Sequence, residues 1–176
     1  MVRYSFGTRL TRLSDEEGRN RAGTCITVMT LEEFRETKEL YLHRKVMVHS
    51  MENIHYCKAE AYGGCTMGTF MIPNKKDLLG EKFSFGFYVT DTELILLDEG
   101  DMMTDILRRM EDIASKEGAG HGHTGEETGK EKETAAAPAG FLILLMDYLI
   151  RNDVLFLQKY EEKLEDMEDE LLDHQP

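Results

Sequence analysis

Carboxylates are the most abundant side chains in this sequence that could bind a ligand. The 176 residues include 34 Asp or Glu against 21 Lys or Arg, a net charge of −13. Hydrated divalent cations such as Mg²⁺ bind carboxylate oxygens and keep several of their waters. Two clusters of carboxylates stand out, one beside a predicted helix start and one near the C-terminus. The candidate metal ligands are Asp98, Asp101 and Asp105 in the first cluster, and Glu165, Asp166 and Asp169 in the second.

Each cluster also has a structural explanation. Between Glu161 and Asp173 there are eight carboxylates and a single cation, Lys163. Pairs such as Glu165/Asp169 sit at i,i+4 and repel by a few tenths of a kcal/mol, so helix stability does not require them. This cluster is either a solvated face or an attractor for divalent cations. In the first cluster, helix capping by Asp101 and the helix dipole are an adequate alternative to metal sensing.

Other candidate chemistry is weaker. His121 and His123 could bind a transition metal, but no third ligand lies near them, which favours adventitious binding or none. His43, His49 and His55 match no metal motif, and no serine or cysteine has a nucleophile context. A metal-dependent hydrolase would need carboxylates from several elements, whereas most lie on one helical surface. We therefore expect no enzymatic activity and no required cofactor.

Composition narrows the class of partner and the compartment. The negative field would repel a polyanion, so no nucleic-acid role is expected. Three cysteines without a CxxC spacing fit a reducing compartment. The longest apolar run, 135–146, has 12 residues where about 20 are needed to span a bilayer. The sequence therefore predicts a soluble chain.

Hydrophobic patterns divide the chain into four segments. Residues 1–23 are predicted to be weakly structured, and 24–116 to form an α/β domain. In that domain a strand at 25–29 precedes a T-x-x-E capping box that begins a helix extending to about Tyr41. Two hairpins follow, 54–61 with 65–72 and 83–89 with 93–97, and then a helix over 101–116. The segment 45–49 fits a strand or a helix.

The remaining two segments are a loop and a helix. Residues 117–137 have the composition of a flexible loop. Residues 138–176 are predicted to form one long acidic helix that continues to about Asp173. At about 52 Å it is longer than a small domain can cover, so its distal half projects or packs on another helix. The predicted fold class is α/β, with a mostly antiparallel sheet, flanking helices and a long C-terminal helix.

Two stretches resemble the N-terminal domain of CorA-type divalent-metal transporters. Residues 85–98, an aromatic strand turning into Glu93-Leu94-Ile95-Leu96-Leu97-Asp98, are similar to that domain's last hairpin. Residues 141–172 are similar to its following helices, which include an acidic helix outside the stalk. The resemblance covers 83–173 best, 24–72 less well, and does not reach 1–20. It implies a cytoplasmic regulatory domain of a magnesium or other divalent-cation transporter, on the inner face of the cell membrane.

The resemblance also implies partners and missing parts. The full-length family forms homopentamers in which Mg²⁺ between subunits acts as a regulatory ligand. The family's Gly-Met-Asn motif, stalk helix and two transmembrane helices are absent from these residues. We therefore expect a truncated piece of a longer protein, linked to a membrane only through segments that are not in this chain. The alternative is a stand-alone interaction module that oligomerises through its C-terminal helix, whose apolar stripe is nearly heptad.

Overall fold

The described residues form a single seven-stranded sheet with flanking helices. The computed structural model describes residues 1–7, 9–14, 24–38, 41–75, 77, 80–117, 137–151 and 153–173. The strands are β1 (Val2–Phe6), β2 (Leu10–Arg12), β3 (Thr24–Met29), β4 (Lys58–Tyr62), β5 (Cys65–Ile72), β6 (Phe83–Val89) and β7 (Glu93–Leu97). Their order is β2-β1-β3-β7-β6-β5-β4. Of these pairs only β3 with β7 is parallel. The predicted α/β class with a mostly antiparallel sheet is confirmed.

Helices cover both faces of the sheet. They are α1 (Leu31–Glu36), α2 (Arg44–Glu52), α3 (Met102–Glu117), α4 (Pro138–Ile150) and α5 (Asp153–Asp173). Phe34 of α1 and Met47 of α2 lie in the core on one face. Leu107 of α3 and Phe141 of α4 lie in the core on the other face. The central strands are therefore enclosed between two helical layers.

Strand β7 explains why the sheet needs both layers. Leu94 and Leu96 belong to the core under α3 and α4, whereas Ile95 and Leu97 belong to the core under α1 and α2. All four are fully buried. Because successive side chains of a strand point to opposite faces, a continuous apolar run fits a strand that is covered on both sides.

The N-terminal segment differs from the prediction of weak structure. It contributes β1 and β2, and β1 pairs antiparallel with β3. Tyr4 is buried, and the ring of Phe6 lies 4.8 Å from the ring of Phe141 in an edge-on contact. The only signal in the sequence is that Val2, Tyr4 and Phe6 alternate with the polar residues Arg3 and Ser5. In the structure this short segment pairs with β3, and Phe6 contacts Phe141 of α4.

Helix α1 is shorter than its pattern predicts. It begins at the expected capping box, where the Thr30 hydroxyl accepts from Glu33 N–H and the Glu33 carboxylate accepts from Thr30 N–H. It ends at Glu36 rather than near Tyr41. The guanidinium of Arg44 donates to the carbonyl of Thr37 at 3.0 Å, which provides a partner just after the helix end. The undecided segment 45–49 belongs to helix α2.

The C-terminal region contains two helices instead of one. Helix α4 ends at Ile150, Arg151 forms a turn, and α5 begins at Asp153. At this break Lys75, in the loop after β5, contacts Leu149 and Asp153, and a local apolar stripe carries no signal of such a long-range contact. The predicted loop at 117–137, with His121 and His123, lies almost entirely outside the described residues. None of the helices in the described part of the chain is long and apolar enough to cross a membrane.

Candidate functional site: an acidic groove

The groove that carries three of the six candidate ligands lies beyond the carboxyl ends of β3 and β7. These parallel strands end together, with Met29 opposite Leu97, and Asp98 N–H donates to the carbonyl of Met29 at 3.1 Å. From there the chain enters α1 on one face of the sheet and α3 on the other. In α/β sheets, ligands commonly bind outside the carboxyl ends of strands whose connections leave to opposite faces.

Six carboxylate residues line this groove, a cavity of about 770 Å³ that is open to solvent. Its walls include the apolar residues Met51, Ile54, Phe83 and Met102, and its lining contains one cation, Lys82. The excess of negative charge favours cations, although solvent and salt screen the exposed groups. We define the acidic groove by its carboxylates: Glu52, Glu81, Asp98, Glu99, Asp101 and Asp105.

Asp98 is the buried anchor of the groove. Its side chain is almost fully enclosed and accepts hydrogen bonds from Met103 N–H at 2.8 Å and Gly100 N–H at 3.0 Å. Burial raises the pKa of Asp98 above its ordinary value, Asp101 and Glu99 add to the rise, and the two hydrogen bonds oppose it. Asp98, rather than the predicted Asp101, therefore provides the side-chain cap for α3.

Other groove carboxylates also have partners within the chain. Asp105 forms an ion pair with Arg108 at 2.9 Å, and Glu99 accepts from Leu31 N–H at 2.9 Å. Glu52 forms an ion pair with Arg35, which joins α2 to α1. These contacts fix the positions of the carboxylates. They also leave fewer carboxylate oxygens available to bind an ion in the groove.

Two groove residues were missed by sequence reasoning. Glu52 is the last residue of α2, and Glu81 precedes β6, so neither lies near the 98–105 cluster in the sequence. For Glu81 there was a topological signal: β6 runs antiparallel to β7 and therefore starts at the edge of the sheet where β7 ends. Glu81 and Asp101 are both exposed, and they are the groove carboxylates best placed to meet a solvated ion.

The second predicted cluster lies elsewhere. Glu165, Asp166 and Asp169 are exposed on α5, and none of them lines the acidic groove. The structure therefore brings Asp98, Asp101 and Asp105 together but leaves the other three candidates on a separate helix. Among the described residues, no three His, Cys, Asp or Glu side chains are arranged to hold a metal ion by themselves. A metal bound in the groove would need water or further ligands to complete its shell.

Known structures share this arrangement of sheet and helices. The full-length CmaX protein aligns with a TM-score of 0.64 and 12% identity, over 96% of this chain and 50% of that chain. The CorA magnesium transporter from Methanocaldococcus jannaschii aligns with a TM-score of 0.61 and 12% identity, over 99% of this chain and 52% of that one.

The chain has the CorA soluble-domain fold. This confirms, at the level of the fold, the resemblance found in the two sequence stretches. The chain spans about half the length of each of these two structures. At the level of sequence, no protein-family model matches this chain, and no curated protein does.

Proposed function

We propose that this CorA-like chain is a non-enzymatic regulatory domain that responds to divalent cations through the acidic groove. The observation that carries the proposal is the meeting of six carboxylates from four parts of the chain at the ends of β3 and β7. The similar protein from Methanocaldococcus jannaschii is described as a magnesium transporter, which makes Mg²⁺ the first ion to test. Transport itself would be a property of a longer, membrane-spanning protein. In that protein this domain would lie on the inner face of the membrane.

One copy of the groove would bind a divalent cation only weakly, and a neighbouring subunit would strengthen the binding by supplying further ligands. Asp98 is engaged as a helix cap, Asp105 by Arg108, and Glu99 by Leu31 N–H. A hydrated Mg²⁺ bound near Asp101 and Glu81 would therefore take few direct oxygens from one copy of the chain. We propose that the chain forms a homo-oligomer in which a second copy, or a stalk helix, supplies the remaining ligands. In such an arrangement the ion stabilises the interface, because without it the carboxylates repel one another.

Titration of the whole chain with Mg²⁺ tests the proposal. A ligand that binds the native state alone stabilises it by RT ln(1 + [L]/Kd), about 1.4 kcal/mol at ten times Kd. The double variant Asp101→Asn/Glu81→Gln should lose most of this stabilisation. The double variant Glu165→Gln/Asp169→Asn removes the same charge from α5 and should retain it. Urea unfolding with and without Mg²⁺ measures each difference, and Na⁺ at equal ionic strength controls for screening.

Three results would count against the metal-responsive groove. Na⁺ could stabilise the chain as much as Mg²⁺ does, both double variants could lose the effect equally, or only the α5 variant could lose it. The last result would move the site to the second cluster. Sedimentation velocity with and without Mg²⁺ would show separately whether copies associate.

A second candidate function, an interaction module, is favoured by one observation. Large apolar side chains on α5, including Leu157, Leu164 and Leu171, are more than half exposed. Such a row exceeds what a solvated helix needs, and it lies outside the core of the domain. Deletion of residues 154–176 should abolish any association that depends on it.

A further inference from the structure

A second cavity adjoins the acidic groove and has a different lining. It measures about 490 Å³ and lies between the loop after β5, the start of β6, the first turns of α3 and the end of α4. Six apolar side chains form much of its wall: Ile72, Pro73, Phe83, Met102, Ile106 and Leu149. Ile106 is buried, Ile72, Phe83 and Leu149 are half-buried, and Met102 is 51% exposed. The cavity therefore continues the apolar core to the surface of the domain.

The size and the wall of this cavity suit a small organic molecule. Sites for such ligands commonly measure about 300–1,000 Å³ and combine mostly apolar walls with a few polar groups. A hydrocarbon chain placed against Phe83, Ile106 and Leu149 would leave water, which favours binding without specifying a ligand. The polar groups of the lining therefore decide which head group the ligand carries.

The charged part of the lining consists of two cations, Lys75 and Arg151, and one carboxylate, Glu81. In the acidic groove the balance is reversed, with six carboxylates and one cation. Because the chain has a net charge of −13, two cations beside an apolar wall depart from its general character. A guanidinium binds a carboxylate through two parallel hydrogen bonds, so this lining favours a carboxylate head group.

Both cations also have carboxylate partners within the chain, and the two pairs differ in exposure. The side chain of Lys75 is 27% exposed, pairs with Asp153 and donates to the carbonyl of Leu149. Arg151 pairs with Asp147 at 3.3 Å, and these side chains are 56% and 63% exposed. Since an exposed i,i+4 pair is weak, Arg151 can exchange Asp147 for the carboxylate of a ligand at little cost. Arg151 is therefore the group that recognises the head, and Lys75 adds positive charge nearby.

We propose that this cavity binds a small amphipathic carboxylate of the medium-chain fatty acid type. The hydrocarbon chain lies along Phe83 and Ile106, and Arg151 binds the carboxylate. This orientation keeps the head group away from Glu81, the single carboxylate among the described lining residues, because like charges repel. The inference does not depend on the metal response of the acidic groove, although the two sites share Glu81, Phe83 and Met102.

Isothermal titration calorimetry of the full chain in metal-free buffer tests the proposal separately from the metal response. The probes are octanoate and decanoate, with octanol and octylammonium as the neutral and cationic counterparts, all below the concentrations at which they form micelles. At least one acid should bind one to one, about tenfold or more tighter than the alcohol and the amine. Saturable binding of neither acid, or equal affinity for acid and alcohol, would overturn the proposal.

A variant of Arg151 tests recognition of the head group. Arg151→Gln should weaken binding of the acid about tenfold and leave binding of octanol nearly unchanged, because only the acid uses the guanidinium. Arg108→Gln is the matched control, since Arg108 is also an exposed arginine paired with a carboxylate but does not line the cavity. Equal losses in the two variants would indicate a general effect of net charge and would contradict the assignment.

A variant of Met102 tests whether the cavity itself is the site. Met102→Trp places a larger side chain in the wall and should weaken binding of the acid and of octanol about tenfold or more. Met167→Trp is the matched control, because Met167 is 53% exposed on α5 and does not line the cavity. Circular dichroism verifies that both variants keep their helical content. Unchanged affinity of Met102→Trp would place the ligand outside the cavity, and the proposal would be wrong.

Discussion

The ammonium of Lys75 donates to the carbonyl of Leu149 at 2.5 Å, and this contact lies where α4 passes into α5. Leu149 is in the last turn of α4, where carbonyls have no partner within the helix. The same ammonium forms an ion pair with Asp153, the first residue of α5, and lies 5.6 Å from the centre of the Phe156 ring. One side chain from the loop after β5 therefore holds both helices at their junction.

The first prediction concerns this junction. Lys75→Met keeps a long apolar stem but removes the hydrogen bond to Leu149 and the ion pair with Asp153. Because the pair is partly exposed, we expect the free energy of unfolding to fall by only about 1 kcal/mol. Amide exchange along α5 should accelerate more than exchange in the sheet, since the helix loses its attachment. Lys163→Met, an exposed substitution on α5, should leave both measurements nearly unchanged; equal effects of the two variants would contradict this role for Lys75.

The second prediction concerns Asp98 as the cap of α3. Asp98→Ala removes the acceptor for Met103 N–H and Gly100 N–H, and we expect a loss of about 1–2 kcal/mol in urea unfolding. Asp101→Ala removes the carboxylate that the sequence suggested as the cap and should cost clearly less. A larger loss from Asp101→Ala would show that the cap was assigned to the wrong residue.

The third prediction follows from the pKa of Asp98, which burial raises above its ordinary value. In that case the native state binds a proton more readily than the unfolded state does. The contribution of Asp98 to stability is then greatest at low pH and is lost as pH rises through the native pKa. The unfolding free energy of the natural chain minus that of Asp98→Asn should therefore increase as pH falls from 7 toward 4. A difference that decreases over this range would show a lowered pKa instead.

The fourth prediction concerns the packing of β5. A Cβ on Gly68 would overlap the carbonyl oxygen of Lys58 on β4 and approach the Phe87 ring to 2.7 Å. Because the carbonyl belongs to the backbone, Gly68→Ala must displace β4, and we expect a loss of about 2–3 kcal/mol in thermal or urea unfolding. Gly63→Ala is the matched control, since nothing lies within 4 Å of its Cβ.

A substitution at Gly86 on β6 distinguishes two explanations for a loss of stability in Gly68→Ala: the clash with the backbone of β4, or the loss of a glycine in a strand. Its added Cβ would meet the flexible ends of Met47 and Met51 rather than backbone. Methionine side chains can adjust, so Gly86→Ala should cost about 1 kcal/mol, less than Gly68→Ala. If the two cost the same, loss of glycine in a strand, and not contact with the backbone of β4, would be the cause.

The fifth prediction concerns the contact between α1 and α2. The guanidinium of Arg44 donates to the carbonyls of Arg35 and Thr37, and it lies 5.6 Å from the centre of the Tyr41 ring. Arg44→Met should lower the unfolding free energy by about 1–2 kcal/mol, because it removes the donor to these two carbonyls and the cation beside the Tyr41 ring. Lys45→Met, an exposed neighbour on α2, should have little effect, and a comparable loss there would rule out a specific role for Arg44.

Short-range patterns were sufficient for much of the fold. The Thr30–Glu33 capping box located the start of α1, and the turn between Val89 and Glu93 located the hairpin of β6 and β7. Both signals involve residues within four positions of one another, so they act in the same way in any tertiary context. The apolar run of β7 also predicted a strand, and the two-sided core explains its lack of alternation.

Long-range contacts decided what these patterns could not. The segment around Tyr4 became a strand because β3 pairs with it, and the predicted single C-terminal helix ends at Ile150 in a junction held by Lys75. For the acidic groove, the sequence identified Asp98, Asp101 and Asp105 from their proximity to one another. It did not identify Glu52 and Glu81, which are separated from that cluster by strands and loops, although the predicted hairpin of β6 and β7 was a signal for Glu81.

The sequence by itself determined which residues are apolar, which are acidic and where short elements begin, because these depend on residue type and nearest neighbours. Only the tertiary structure decided that Asp98 caps α3 and that Glu52 and Glu81 join the groove. Those outcomes depend on which parts of the chain meet when β3 and β7 pair in parallel. A local pattern carries no information about that pairing, since both strands read alike whichever neighbour they take.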